Sequence, residues 1–395
     1  MRLQFLEIRV QFRLTNLYTD LISFGSYYQS QIEYHNLKSP CKIGNMDAKN
    51  PMLLKVLFLW LCIQILATNL SAFSYNVGNA IPPPLRLKQL LELEMNGAGN
   101  PNHPILMPCV YDGLSARLVA RAGFDATFMS GFGVSGVNGF PDAQLISYQE
   151  MVNAASTVAE GLASVALEHG TQATPIPCIA DGDTGYGNAI NVKRTLFGYG
   201  RAGMAGIMIE DQVSPKRCGH VQGKSVVGFD EAVMRVRAAC DARDEFEQLY
   251  GKGTGPLVLA RTDSLVTHGF EDAIQRCLEF RNVGCDITFL EAPKTVEQMR
   301  EYCSRVSGPK LANMLEYGDT PILPPKELKE MGYTIAAYPL TLLSASIKAM
   351  EKALECIKEG MSTTELILPF SETKDVVGFT SYAQLEKRYT TSRES

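Results

Sequence analysis

The sequence predicts an α/β protein closed into one (β/α)8 barrel, the TIM-barrel architecture, and three observations carry that expectation. Eight short apolar runs alternate with amphipathic stretches from Leu85 onward. Glycines end several amphipathic stretches, and the residue seven positions later closes the next run: Gly123 leads to Ser130, Gly203 to Glu210, Gly284 to Glu291 and Gly332 to Pro339. The runs also end on polar, mostly charged residues. A doubly wound open sheet is the alternative, but it gives no reason for eight similar units.

Taken in order, the runs are residues 105–110, 126–129, 176–180, 206–209, 257–260, 287–290, 310–314 and 334–338. Each is short and apolar, as a strand buried on both faces of a parallel sheet must be. Helices are expected at 147–168, 191–201, 230–244, 271–282 and 296–304. Asp230, Glu231, Glu271 and Asp272 put negative charge into first turns, where the helix dipole favours it. A glycine just past a helix accepts the left-handed backbone that ends it. The constant spacing therefore delivers each strand end to one rim.

The first 74 residues read differently. Lys55 is followed by the apolar run 56–63, then Gln64 and residues 65–67. That is short of the roughly 20 residues of a membrane span. It suits the hydrophobic centre of a signal peptide, flanked by Lys49 and Lys55 and followed by small residues at Ser71-Ala72. Ser71-Ala72-Phe73 is also similar to the Ala-Phe cleavage motif of bipartite plastid presequences. The expected organisation is a removable leader over 1–74, a barrel over 75–370, and a C-terminal helix and tail over 371–395. Translation would start at Met46 or Met52. A presequence near 46–73 would direct the chain to a plastid or the secretory pathway, leaving no stable membrane anchor in the mature form; without it the chain is cytoplasmic.

The 395 residues are 46% hydrophobic and 20% charged, with a formal net charge of −5. Without residues 1–74 the balance is 30 basic against 38 acidic residues, a net −8. An acidic body argues against a broad nucleic-acid surface. The ten cysteines are scattered without CxxC spacing, which disfavours a disulfide framework and a structural zinc site.

Barrel enzymes act at the carboxyl ends of their strands. Those ends read Ser130-Gly131, Asp181-Gly182-Asp183, Glu210-Asp211, Arg261-Thr262-Asp263, Glu291 and Asn313. Carboxylates converging on one rim repel unless a cation neutralises them, and hard oxygen donors suit Mg²⁺, with Mn²⁺ as the alternative ion. Arg261 offers a planar fork to a substrate carboxylate or phosphoryl group. After the fourth strand comes Lys216-Arg217-Cys218-Gly219-His220. Two cations and an imidazole beside Cys218 should lower its pKa, as suits a thiol that moves a proton over a bound anion on a pliable loop. Two patterns are set aside. Residues 131–136 match GxGxxG, but residues 137–141 should break the helix that a dinucleotide fingerprint opens. Residues 181–187 look like a calcium loop, but Gly185 and Val192 stand at its fifth and twelfth positions.

Ser130-Gly131, Asp181-x-Asp183, Glu210-Asp211-Gln212, Lys216-Arg217-Cys218-Gly219-His220, Ala260-Arg261-Thr262-Asp263, Glu291-Ala292-Pro293 and Asn313 together resemble the isocitrate lyase/phosphoenolpyruvate mutase superfamily, over residues 85–360. Within it the chain is similar to the petal-death-protein-like group, often labelled carboxyvinyl-carboxyphosphonate phosphorylmutase, and to 2-methylisocitrate lyases. The resemblance implies a barrel that forms a homotetramer, a dimer of dimers, with a C-terminal helix swapped between partners. It implies Mg²⁺ near Asp181, with Asp183, Glu210 and Asp142 contributing. Ser130, Gly131, Arg261, Glu291 and Asn313 would hold the substrate, with Phe132 beside them, and Gly219 and His220 would close over it. Cys218 would protonate the enolate, with Lys216 part of the catalytic set.

The implied reaction is Mg²⁺-dependent carbon–carbon cleavage of a 2-hydroxy di- or tricarboxylate, of 2-methylisocitrate or 2-alkylmalate type, to an α-keto acid and a second acid. The Cys-Gly-His loop favours a lyase over the phosphonate mutases, whose loop bears Asn. A mutase or an oxaloacetate hydrolase on the same site remain alternatives, as does a catalytically silent barrel acting in assembly or regulation. The intact Cys218, Arg261 and Asp181/Asp183 argue against the last. Where the lyases carry Tyr before the Ser-Gly segment and Gly after it, this chain has Phe128 and Phe132. Pro339 matches the lyase pattern, not the Ser of oxaloacetate hydrolases.

Overall fold

A computed structural model describes residues 81–168, 174–217 and 223–390. The leader expected over 1–74 lies outside them. The described chain opens with α1 (Pro83–Met95) and continues through β1 (Ile105–Val110), α2 (Gly113–Arg121), β2 (Thr127–Met129), α3 (Gly131–Val137), α4 (Tyr148–Glu168), β3 (Cys178–Asp181) and α5 (Ala189–Arg201). Then come β4 (Gly206–Glu210), α6 (Phe229–Tyr250), β5 (Leu257–Thr262), α7 (Leu265–His268), α8 (Phe270–Asn282), β6 (Ile287–Leu290), α9 (Val296–Arg305) and β7 (Lys310–Asn313). The chain ends with α10 (Pro325–Met331), β8 (Ile335–Tyr338), α11 (Thr341–Lys358), α12 (Phe370–Val376) and α13 (Phe379–Tyr389).

The eight strands form one closed parallel barrel in sequence order. It closes where β1 pairs with β8, Ile105 opposite Ile335 and Pro108 opposite Tyr338. All eight expected runs became strands, with ends shifted by no more than two residues. Their inward side chains, including Met107, Phe128, Ile179, Met208, Leu259, Phe289 and Leu311, fill the interior. Leu87 and Leu91 of α1, one turn apart, join that cluster and are almost fully buried. Through these two leucines α1 plugs one end of the barrel interior, near Gly206 at the start of β4, a role its sequence alone does not disclose.

The repeating glycines do what their spacing implies. Gly123, Gly203, Gly284 and Gly332 have φ of +80°, +90°, +101° and +105°. Each ends its helix in the left-handed region, which L-residues with a Cβ enter at a cost. Two elements differ from expectation. The Gly-rich segment after β2 does open a helix, α3, because Ser130 caps it by accepting from the Gly133 N–H at 3.2 Å. It ends at Val137, within the segment expected to break it. Helix α6 runs to Tyr250 because Phe246, buried, packs edge-on against Phe197 of α5 with ring centroids 5.4 Å apart.

The C-terminal part is less buried. In α11 only Leu343 and Cys356 are buried, while Ile347, Met350, Leu354 and Ile357 are exposed. The segment expected as one helix and a tail contains two helices. Arg117 of α2 donates to the Val376 carbonyl at 3.0 Å, and Ser381 of α13 donates to Glu168 of α4 at 3.1 Å. No helix among the described residues is long and apolar enough to cross a membrane.

Gly123 isolates the conformational term, since a Cβ built there meets nothing within 4 Å. Gly123→Ala should lower unfolding free energy by about 1–2 kcal/mol through backbone strain alone. Urea denaturation followed by circular dichroism checks this, and an unchanged midpoint would remove the capping role.

Candidate active site

The strand ends meet over a cavity lined by two kinds of side chain. Ser130, Asp142, Asp181, Lys216, Arg261, Glu291 and Asn313 are its polar lining. Cys109, Phe128, Phe132, Met208, Phe289, Leu311, Leu315, Ala337, Pro339 and Leu340 are its apolar lining. Gly131, Asp183 and Glu210 contact members of the polar set. Cys218, Gly219 and His220 lie outside the described residues.

Local geometry explains the Ser-Gly and Asp-x-Asp pairs. The Gly131 N–H donates to Asp181 Oδ2 at 3.2 Å. A Cβ at Gly131 would stand 2.5 Å from that oxygen, so only glycine allows the approach. Asp181 Oδ1 accepts from the Asp183 N–H at 3.0 Å, and its carbonyl accepts from the Tyr199 hydroxyl at 2.8 Å. Asp183 sits at φ +48°, a left-handed position that aims its carboxylate back into the cluster.

Lys216 is the centre of this cluster. Its Nζ lies 2.8 Å from Asp183 Oδ1, 2.9 Å from Asp142 Oδ1 and 3.7 Å from Asp181 Oδ2, and its side chain is only 4% exposed. Burial works against its charge, but the surrounding carboxylates outweigh burial and hold its pKa well above the ordinary value. Burial pushes Asp183 up to about 6 despite Lys216, with Asp181 and Asp142 adding to the rise. Glu210 is buried too, and burial raises it well above the usual carboxylate range against the pull of Arg261 and Lys216.

Arg261 is 2.8 Å through Nε and 3.0 Å through Nη2 from the two oxygens of Asp263, a bidentate pair. Its Nε is also 3.3 Å from Glu210 Oε2, its Nη2 is 3.6 Å from Glu291 Oε1, and its guanidinium lies 5.2 Å from the Phe289 ring centroid. Asn313 donates to Glu291 Oε2 at 3.5 Å.

The fork of Arg261 is already closed on Asp263, so the residue meets the cavity as a buried, pre-oriented cation. Lys216 pairs with three aspartates, and Cys218, beside which it is expected to act, lies outside the described residues. The same ion pairs supply part of the neutralisation that the sequence assigns to a metal. Among the described residues, no three acidic, histidine or cysteine side chains stand ready to bind an ion directly. The donor chemistry nevertheless fits a hard cation. Asp142, Asp181, Asp183 and Glu210 outnumber the ammonium, and Glu210 Oε1 is buried without a hydrogen-bond donor.

A further layer escaped the sequence reading. Lys224 Nζ lies 2.9 Å from Asp263 Oδ1. Asp211 accepts from the Thr262 hydroxyl at 2.6 Å and the Asp263 N–H at 2.9 Å, and Arg276 Nη1 is 3.2 Å from it. Burial, then Asp263, push Asp211 up to about 6, whereas Arg261 and Lys224 overcome burial and hold Asp263 down at about 2. The two aspartates were visible as strand-end carboxylates. Lys224 and Arg276 carried no signal, since a basic residue in a loop or helix reads first as a solvated one.

A family model described as phosphoenolpyruvate phosphomutase matches residues 99–358. The chain is 36% identical over 293 residues to the 2,3-dimethylmalate lyase of Eubacterium barkeri, covering 73% of this chain and 94% of that protein. It is 37% identical over 287 residues to a 2-methylisocitrate lyase of Aeropyrum pernix, covering 72% and 85%. Among solved structures, oxaloacetate acetylhydrolase in complex with the inhibitor 3,3-difluorooxalacetate aligns with a TM-score of 0.69 and 32% identity, covering 78% of this chain and 97% of that one.

Removing Asp263 would strip the buried Arg261 of its bidentate partner. Asp263→Ala should cost about 3–5 kcal/mol of unfolding free energy, as for other broken buried ion pairs. Urea denaturation measures it, and a loss below 1 kcal/mol would show that Glu210 and Glu291 suffice for Arg261.

Proposed function

Because the chain belongs to the phosphoenolpyruvate phosphomutase family, we propose that it is a carbon–carbon lyase of the isocitrate lyase/phosphoenolpyruvate mutase superfamily. Its substrate is a 2-hydroxy di- or tricarboxylate of 2-alkylmalate or 2-methylisocitrate type. The observation that carries this is the mixed lining of the cavity: a buried ammonium and guanidinium with carboxylates, and in the same lining Phe128, Phe132, Leu315 and Leu340. The polar groups suit the carboxylates and hydroxyl of such a substrate, and the apolar groups suit its alkyl group.

The chain's own groups support a cleavage of this kind. Ser130, Arg261 and Asn313 offer donors to the substrate's oxygens. The hydroxyl proton passes to a carboxylate of the Lys216 cluster as the C2–C3 pair moves onto the departing acid. That acid leaves as an enolate, and the Cys218 thiol returns a proton to its carbon. Lys216 and Arg261, buried and already oriented, offset the negative charge that develops. Asp181, Asp183, Glu210 and Asp142 would hold Mg²⁺, which supplies further electrostatic stabilisation of the oxyanions.

The assembly proposed is a homotetramer built from dimers with exchanged C-terminal helices. An apolar cleft lined by Leu106, Tyr111, Leu114, Leu118, Phe124 and Leu342 runs beside α2, and α11 presents Ile347, Met350, Leu354 and Ile357 to solvent. Apolar faces of this extent mark interaction surfaces. Light scattering of the purified protein should give a tetramer, and Ile347→Asp with Leu354→Asp a smaller species. A wild-type monomer would overturn the assembly.

The reaction is tested by a product assay across isocitrate, 2-methylisocitrate, alkylmalates, oxaloacetate and phosphonopyruvate. The expected outcome is an α-keto acid from an alkylmalate or 2-methylisocitrate, abolished by EDTA and restored by Mg²⁺. Cys218→Ser should lower kcat by about 10²–10⁴-fold. Preferred turnover of oxaloacetate or phosphonopyruvate would favour the hydrolase or the mutase instead, and equal turnover by the Ser variant would remove the thiol from the chemistry.

A further inference from the structure

We infer that Gln144 is a positioning residue for Lys216, tying three rim loops together through one amide. It lies between α3 and α4, two residues from Asp142. Its backbone has φ +56°, a left-handed conformation that is strained for a non-glycine residue. Glycine would take that conformation freely, so the reason for glutamine lies in its side chain.

That side chain makes three hydrogen bonds, two at its oxygen and one at its nitrogen. Oε1 accepts from the Lys216 N–H at 3.1 Å and from the Ser214 hydroxyl at 2.8 Å, while Nε2 donates to Thr184 Oγ1 at 3.0 Å. A backbone N–H can only donate, which fixes the orientation of the amide. Thr184 is fully buried and follows Asp183, and Lys216 binds Asp142 and Asp183 through its ammonium. The loops after β2, β3 and β4 thus meet at Gln144 as well as at Lys216 Nζ. The ammonium is held by its carboxylates at one end, and the backbone that carries it is held by Gln144 at the other. Arg217 has its own anchor, donating its N–H to Gln212 Oε1 at 3.0 Å, so the tie to Lys216 is separate. A charged group that must meet developing charge loses effectiveness when displaced by about 1 Å.

The catalytic consequence rests on the reading of this cavity as a lyase site; the tether itself does not. Three variants separate the roles: Gln144→Gly relieves the backbone and deletes the amide, Gln144→Met keeps the side chain's length without its bonds, and Gln144→Glu keeps the acceptor. Hydrogen exchange at the Lys216 amide is measured in each, with melting temperature and steady-state kinetics. Gln144→Gly should melt within a few degrees of wild type, because backbone relief offsets part of the lost bonds, yet exchange at Lys216 about tenfold faster or more. Its kcat should fall on the order of tenfold or more, with KM within about threefold. Gln144→Met should match it in exchange and kcat, and Gln144→Glu should recover most of the protection. Wild-type exchange in both Gln144→Gly and Gln144→Met would overturn the tether, and faster exchange with unchanged kcat would overturn the positioning role. If wild-type protein turns over no compound of the panel, the lyase reading fails while exchange still decides the tether.

Discussion

The rim of this barrel is governed by one electrostatic constraint: carboxylates delivered to the same place by adjacent strands must be neutralised once water is excluded. Asp181 and Glu210 end neighbouring strands, with Asp183 just past one of them and Asp142 in the preceding loop. Lys216 reaches back from the next loop to stand among them with an almost fully buried side chain. An isolated buried charge of either sign would cost several kcal/mol, so neither carboxylates nor ammonium can be buried without the other. The loop after β4 is held accordingly. Segments 211–213 and 225–227 close its neck, with Val213 donating to the Ser225 carbonyl and Val227 to that of Asp211, both at 2.9 Å.

Backbone strain is concentrated at the same rim. The described non-glycine residues with positive φ are Gln144, between α3 and α4, and Asp183, Tyr186, Ala292 and Tyr317, in loops that follow strands. Each costs of order 1–3 kcal/mol and persists only where its surroundings over-determine it. At Asp183 the surroundings are the Asp181 carboxylate and the Lys216 ammonium. At Gln144 they are three hydrogen bonds. The rest of the barrel is regular, with a filled interior and helices ended by glycine, and it can carry such local cost.

The barrel was legible in the sequence because its signals are local and repeated. Apolar runs of four to six residues can be read without knowing their neighbours, and the glycine spacing placed Ser130, Glu210, Glu291 and Pro339 at strand ends. Ser130, Asp181, Arg261, Glu291 and Asn313 line the cavity from strand ends and Lys216 from its basic loop, while Asp142 and Phe132, which also line it, are expected there only through the family resemblance. What could not be read is how side chains choose among partners within reach. Arg261 lies two residues from Asp263 and 51 residues from Glu210, and only the turn at the end of β5 decides that Asp263 takes its fork. Lys224, Arg276 and Gln144 belong to no periodic pattern, and their roles exist only once three or more loops have met. The plug formed by α1 is hidden for a similar reason. Leu87 and Leu91 look like any apolar stripe until a barrel interior stands above them.

The charge of the site before substrate arrives sharpens the functional reading. Asp142, Asp181, Asp183, Glu210, Asp263 and Glu291 face Lys216, Arg261 and Lys224, so carboxylates outnumber cations two to one. The two cations on the cavity wall are already paired. A substrate with two or more carboxylates entering such a site meets repulsion unless protons or positive charge are added. Burial above all, with neighbouring carboxylates adding to it, raises the pKa of Asp183 and Glu210 and favours their protonated forms. A divalent cation relieves the repulsion without consuming the carboxylates' ability to take a proton from the substrate hydroxyl. That distinction is the physical case for Mg²⁺ in the proposed lyase. A site relying on protonation would weaken its own base, whereas a site that recruits a cation keeps the base ionised and gains an electrophile for the oxyanions of a polycarboxylate.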